Sequence, residues 1–223
     1  MTLPPGQRAV EGFPRFGTHL HHPPPPVPDD PVIEIAGAVT EPLALPLTDL
    51  AALPRCEIKA DFHCVAGWSA TDLRWEGVAF ETFYRVRIEP LLAPGAPISH
   101  LIFEGLDGFR SIVALEDASA ADVLLADHLD GRPLDGDHGA PVRLVSPSQY
   151  GFMNTKHLCR IELHTSEPPA DDRWSPIAGH ARARVWQEER NRYLPGPVVR
   201  PVYRMLIGPI RALSARGSQA RRR

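Results

Sequence analysis

From Cys56 to Cys64 apolar and polar residues alternate: Cys56, Ile58, Ala60, Phe62 and Cys64 fall on one side, Glu57, Lys59, Asp61 and His63 on the other. Strict period two predicts a half-buried strand that ends where Gly67 turns the chain. Short apolar runs at Val32 to Gly37, His100 to Phe103, Ser111 to Leu115, Val142 to Val145 and Leu158 to Leu163 predict further strands. Helical signals are fewer. Pro46 to Leu50 reads as a short capped turn. Gly77 to Ile88 sets Phe80, Phe83 and Tyr84 on one face and predicts an amphipathic helix. Arg182 to Tyr193 predicts another, stopped near Pro195. The apolar segment from Ala118 to Leu125 fits either type. Many short strands with few helices indicate a β-rich α+β domain.

The ends of the chain differ from its middle. Residues 1–30 read as an extended, proline-rich arm, with Pro23 to Pro26 favouring polyproline II. Residues 31–165 carry the strand pattern, and 166–223 read as a linker followed by a basic helical extension. The 25 prolines, about twice average usage, favour short strands and ordered loops. With 223 residues, 43% of them hydrophobic, one large domain plus extensions is the natural expectation.

The net charge of −3 hides an asymmetry: beyond residue 179, 11 arginines face only Glu188 and Glu189. That tail balances at +9 and the preceding residues at −12. A solvated helix accounts for such a tail, and so does a docking site for a partner protein; nucleic acid is not an expected partner. The N-terminus has neither a basic and apolar signal pattern nor paired arginines, and no stretch approaches 18 apolar residues. A cytoplasmic protein without a transmembrane segment is the expectation.

Three cysteines do not suggest a disulfide framework, and Cys56 and Cys64 lie roughly 26 Å apart along one strand. On residue type alone, a buried cysteine is more often a small hydrophobe than a ligand. His19-Leu20-His21-His22 invites a metal reading, yet no second ligand group stands nearby with zinc-like spacing.

A resemblance adds to these residues. His63-Cys64-Val65-Ala66-Gly67-Trp68-Ser69, followed by Trp75-Glu76-Gly77-Val78, resembles the cysteine loop of the molybdopterin-dependent oxidoreductase family, which includes sulfite oxidases and the catalytic subunit of methionine-sulfoxide reductase. Asp130-Gly131-Arg132-Pro133-Leu134, His138-Gly139-Ala140-Pro141-Val142-Arg143, Tyr150-Gly151 and Lys156-His157-Leu158 resemble its later cofactor-binding stretch, in the same order. The similarity covers roughly residues 13–165. It implies a sulfite-oxidase-type fold of mixed sheets with short helices, and a molybdenum centre held by one molybdopterin and by the Cys64 thiolate. It further implies cofactor contacts at His138, at Arg143 and Lys156 for the pterin phosphate, at Asn154 and Thr155 as donors in a tight loop, at Gly105 through close backbone approach, and at His19 or His21 from the N-terminal arm.

The residues also depart from the family pattern. Where sulfite oxidases place a tyrosine, this chain has Asp127 in Leu125-Ala126-Asp127-His128, and where they carry an arginine a few residues after the cysteine, Trp68-Ser69-Ala70-Thr71 follows instead. An acidic residue beside the metal would repel sulfite. Asp127 is thus a second candidate catalytic residue, and a neutral S-oxide or N-oxide is the expected small-molecule substrate. A sulfite-oxidase-like dehydrogenase and a non-catalytic pterin- or partner-binding module are the alternatives. Neither a haem-attachment motif nor a flavin or nicotinamide fingerprint is present, so electron transfer calls for a separate redox partner protein.

Overall fold

The computed structural model describes residues 2–15, 23–169, 179–205, 207–209 and 212. Two five-stranded sheets carry the fold. β1 (Val32–Gly37) and β2 (Leu43–Pro46) form a hairpin-like antiparallel pair, followed by a single helical turn, α1 (Leu47–Ala51). β3 (Arg55–His63) and β4 (Ser69–Ala79) form the long hairpin that carries the cysteine loop. Short helical turns follow at α2 (Phe80–Phe83) and, as a π-turn and a 3-10 turn, at Tyr84–Ile88 and Glu89–Leu91. β5 (His100–Gly105), β6 (Arg110–Ala114), α3 (Leu115–Ala118), β7 (Leu124–Leu129), β8 (Arg132–Pro133), β9 (Arg143–Val145) and β10 (Leu158–His164) complete the sheets, and α4 (Gly196–Met205) lies near the C-terminus.

One sheet runs β2-β1-β10-β5-β6, with β1 and β10 parallel and every other pair antiparallel. The second runs β3-β4-β7-β8, with β9 also on β7. Each sheet buries an apolar face. Ile33, Ile35, Leu101, Phe103, Ile161 and Phe80 belong to the larger core cluster; Cys64, Trp68, Trp75, Leu124 and Ala126 belong to a smaller one built on the second sheet. The parallel β1–β10 pair joins the beginning of this region to its end. Gly37 closes it at φ +87, where a Cβ would run into the Leu163 backbone. Gly37→Ala combines a disfavoured backbone angle with that overlap and should cost about 2–4 kcal/mol, read as a lower urea midpoint.

Two expected helices differ from what is observed. Residues 77–79 continue β4, and helical backbone begins only at Phe80. Gly77 sits where a Cβ would overlap the Leu125 carbonyl, so the missing side chain lets β7 pair closely. Sheet pairing outweighs the aromatic periodicity. Arg182 to Tyr193 is a series of turns, with Ala183 and Glu188 at φ 51 and 57. Glu189 takes the Arg184 amide and guanidinium, and Pro195 starts the real helix by accepting the Val198 and Val199 amides. Proline thus marks an N-terminus here, as its fixed φ allows.

Candidate functional site

The β3 strand loses its alternation at a bulge between Ala60 and Phe62, which brings His63 inward and leaves Cys64 just past the strand end. The loop then closes on itself. Cys64 N donates to Trp68 O at 2.9 Å, and Gly67, at φ +102, donates to Cys64 O at 2.9 Å. Ala66 N points at Cys64 Sγ, 3.5 Å away. Cys64 is 6% exposed, and burial pushes its thiol up to about 12 despite that amide and the charges of Arg190 and Lys156. Burial therefore favours the protonated thiol in neutral solution.

Behind the loop runs a buried polar chain. His63 Nδ1 is 2.8 Å from Ser69 Oγ, Ser69 Oγ donates to Gln7 Oε1 at 3.1 Å, and Gln7 Nε2 donates to Cys64 O at 3.1 Å.

The second matched block lies against the same apolar cluster. Asp135 accepts the His138 amide at 2.9 Å, and Gly139 (φ +110) turns the chain into a cis Ala140–Pro141 bond. A Cβ at 139 would press on both Arg143 and Lys156, at 3.2 and 3.1 Å, so the glycine lets these two side chains converge. Arg143 is fully buried. Its guanidinium donates to the carbonyls of His138 (2.9 Å), Asn154 (3.3 Å) and Leu144 (3.4 Å), and lies 5.1 to 6.0 Å from the rings of Trp75, Phe62 and Phe13. Lys156 Nζ donates to Asp137 O at 2.8 Å. Among the described residues neither cation has a carboxylate within ion-pair distance, and Arg15, beside Asp137, adds a third positive charge. All three Arg143 side-chain nitrogens donate to backbone carbonyls, so the guanidinium plane is fixed where it lies. Arg143 is buried and Lys156 half-buried, and only the more distant Asp137 and Asp107 carboxylates offset the Lys156 charge, an arrangement that is costly in the free protein.

That cost is legible in pH. Lys156 is pushed down to about 7, by burial first and then by Arg143 and Arg15. An unfolded lysine keeps its proton to about 10.4, so between those values the unfolded chain binds more protons and stability rises with pH. His63 and His157, lowered by burial, act in the same sense at the acid end. Above about pH 8.5 the sign reverses. The Cys64 and Cys159 thiols are raised to about 12 and about 11 by burial, whereas unfolded thiols ionise near 8.5. Urea midpoints of cofactor-free protein should therefore rise from about pH 6 to about pH 8.5 and fall beyond it.

The other expected site residues are placed differently. His19 and His21 lie outside the described residues. Among the described residues no group of three or more His, Cys, Asp or Glu side chains could hold a metal, which a centre with a single protein thiolate does not require. Asn154 is spent within the fold: Oδ1 accepts Ser146 N at 2.7 Å and Nδ2 donates to Ser146 O and Tyr150 O. Thr155 Oγ1 is 2.7 Å from Ser111 Oγ. A Cβ at Gly105 would meet the Lys156 carbonyl, so the glycine allows that strand to approach. His138 bridges Asp135 (2.8 Å) and the Phe13 carbonyl (2.9 Å), tying the N-terminal arm down.

Asp127 is corrected more sharply. It is the extra residue of a bulge in β7, where Ala126 faces Gly77 and His128 faces Glu76. Its carboxylate is gripped by Arg55 at 2.6 and 2.8 Å and by His128 at 2.7 Å. Arg55 opens β3 opposite Val78, the hairpin end remote from Cys64. The structure brings Cys64, Arg143, Lys156 and His138 to one cluster and leaves Asp127 outside it. Phe13, Arg15, Gln7 and Arg190 were not legible as site residues, because only folding brings the two chain ends here.

Comparison with known proteins gives a consistent picture. The family model described as "Oxidoreductase molybdopterin binding domain" matches residues 21–172. The uncharacterized oxidoreductase YuiH of Bacillus subtilis is 31% identical over 84% of this chain and 91% of its own length. The protein-methionine-sulfoxide reductase catalytic subunit MsrP of Gluconobacter oxydans is 29% identical over 66% of this chain, which spans half of it. A crystal structure of the sulfane dehydrogenase SoxCD from Paracoccus pantotrophus superposes with a TM-score of 0.56 at 23% identity, over 70% of this chain and 44% of that one. The last likeness concerns the fold.

Proposed function

The chain belongs to the molybdopterin-binding oxidoreductase family, and from that premise we propose that it is a molybdenum enzyme that reduces a neutral S-oxide or N-oxide. The observation that carries this reading is the fully buried Arg143 with the half-buried Lys156 next to it, neither in a salt bridge among the described residues, beside the cluster that holds Cys64. Lys156 and Arg143 take the phosphate of the pterin, the Phe13–Phe62–Trp75 rings hold the Arg143 plane, and the Cys64 thiolate ligates the metal. When bound, the cofactor supplies two-electron oxygen-atom transfer. The protein orients it and keeps water from the sulfur.

The preference for a neutral oxide rests on the loop itself. From Val65 to Ala70 it carries apolar or hydrogen-bonded residues and no cation, so the loop's own side chains supply no charge for a sulfite dianion. Asp127, engaged by Arg55, no longer contributes to that preference. Electrons come from a separate protein, for which the basic C-terminal tail is the candidate docking site on its charge alone. Among the described residues no helix is long and apolar enough to cross a membrane.

Expression in a host that makes the cofactor, with molybdenum measured by elemental mass spectrometry, tests the first part; metal-free wild-type protein sinks it. Dye-linked assays test the second. Methionine sulfoxide or trimethylamine N-oxide should oxidise a reduced viologen, and sulfite oxidation without oxide reduction would overturn the substrate class.

A further inference from the structure

The segments on either side of the matched region meet behind Cys64. Residues 8–10 run beside the loop, with Arg8 N donating to Gly67 O (3.2 Å), Ser69 N to Arg8 O (2.9 Å) and Val10 N to Ser69 O (2.9 Å). From the other end comes Arg190, fully buried, 5.1 Å from the Tyr150 ring. It donates to Val65 O and, at 3.1 Å, to Pro5 O. Glu188 fixes it through Oε1 at 3.1 Å and is itself gripped by Arg200 at 2.6 and 2.8 Å; Arg204 donates to Gly6 O at 3.3 Å.

One peptide plane links this cluster to the sulfur. The Val65–Ala66 peptide offers its carbonyl to Arg190 and its N–H to Cys64 Sγ. A peptide is rigid, so the pull on the oxygen fixes where the N–H points. Gln7 holds the preceding plane through Cys64 O. A buried Arg190–Glu188 pair, capped by the half-exposed Arg200, is an expensive way to gain stability, and apolar residues of similar volume often serve as well or better. A loop that must present a ligand within about 0.5 Å has a use for the rigidity it confers.

We propose that Arg190 is a positioning residue for the metal-ligating thiolate, orienting the Val65–Ala66 amide toward Cys64 Sγ, so that the C-terminal segment is a working part of the cofactor site. This rests on the molybdopterin reading above. Outer-shell partners of this kind typically change metal affinity or activity about 10–100-fold when removed.

The test compares holoenzyme of wild type, Arg190→Met, Arg190→Lys and Glu188→Gln by molybdenum content and by the Mo(V) electron-spin resonance. Arg190→Met should keep native far-ultraviolet circular dichroism, lose metal or turnover by about 10–100-fold, and show a shifted Mo(V) signal. Arg190→Lys, which restores a donor, should recover metal while keeping a shifted signal. Arg190→Met with wild-type metal and an unchanged signal would overturn the proposal. If that variant does not fold, Glu188→Gln decides: a shifted signal supports the proposal and an unchanged one overturns it. Metal-free wild-type protein would instead overturn the parent reading, and this inference with it.

Discussion

Cys64→Ser should abolish oxide reduction while leaving most of the pterin in place. The sulfur is a soft ligand suited to this centre, and a serine oxygen is harder and holds its proton more tightly. Outer-shell losses already cost about 10–100-fold, so removing the ligand itself should lower turnover by more than about 100-fold. Pterin retention depends on Arg143 and Lys156, which the substitution does not touch, and should fall far less. A serine hydroxyl at this buried position also loses some stability, about 1–3 kcal/mol if no partner replaces water. Elemental mass spectrometry, fluorescence of the oxidised pterin and the Mo(V) resonance separate the effects. A serine variant with wild-type turnover and an unchanged resonance would exclude Cys64 as the ligand.

Much of the fold was legible because period-two runs and apolar blocks decide strands locally. Val32 to Gly37 and the strands led by His100, Arg143 and Leu158 follow the pattern closely. The exceptions have two causes. At Gly77 the absent side chain, and not the aromatic periodicity, set the local structure, because β7 needed the space. At 182–193 the charged residues that look like a solvated helix face are pair-wise engaged. Arg182 binds Asp117 from the opposite side of the chain, and Arg184 binds Glu189. Composition cannot show that Arg182 and Arg192 meet Asp117 and Glu167 of the acidic body while Glu188 and Glu189 take the other pairs.

The site was legible to the same degree. Cys64, Arg143 and Lys156 stand in recognisable local runs and converge in space. Asn154 and Thr155 stand in the same run, yet their side chains brace Ser146, Tyr150 and Ser111. Short polar residues in a tight loop serve the backbone as readily as a ligand. Phe13, Gln7 and Arg190 have no local signature at all. Their roles come from contacts spanning the length of the chain, such as Arg190 with Pro5.

Lys156→Met should stabilise the cofactor-free protein and weaken the cofactor complex. The substitution keeps length and removes a charge that burial opposes; the bond it gives up is the one to Asp137 O at 2.8 Å. Below about pH 7 the wild-type lysine is charged in the fold and its full desolvation penalty, on the order of a few kcal/mol, is present. As pH rises toward about 10.4 the unfolded lysine approaches its own titration and the penalty fades. The gain from methionine should therefore be largest at pH 6 and shrink steadily through pH 9, as read in urea midpoints. Binding moves the other way. A bond from a charged donor contributes about 1.5–3 kcal/mol, so the pterin should bind roughly 10–100-fold more weakly. An ordinary structural lysine gives the opposite pair of results, lower stability at pH 6 and undiminished pterin. The sign of the stability change thus separates an anion receptor, kept at a cost to the free protein, from a residue that only supports the fold.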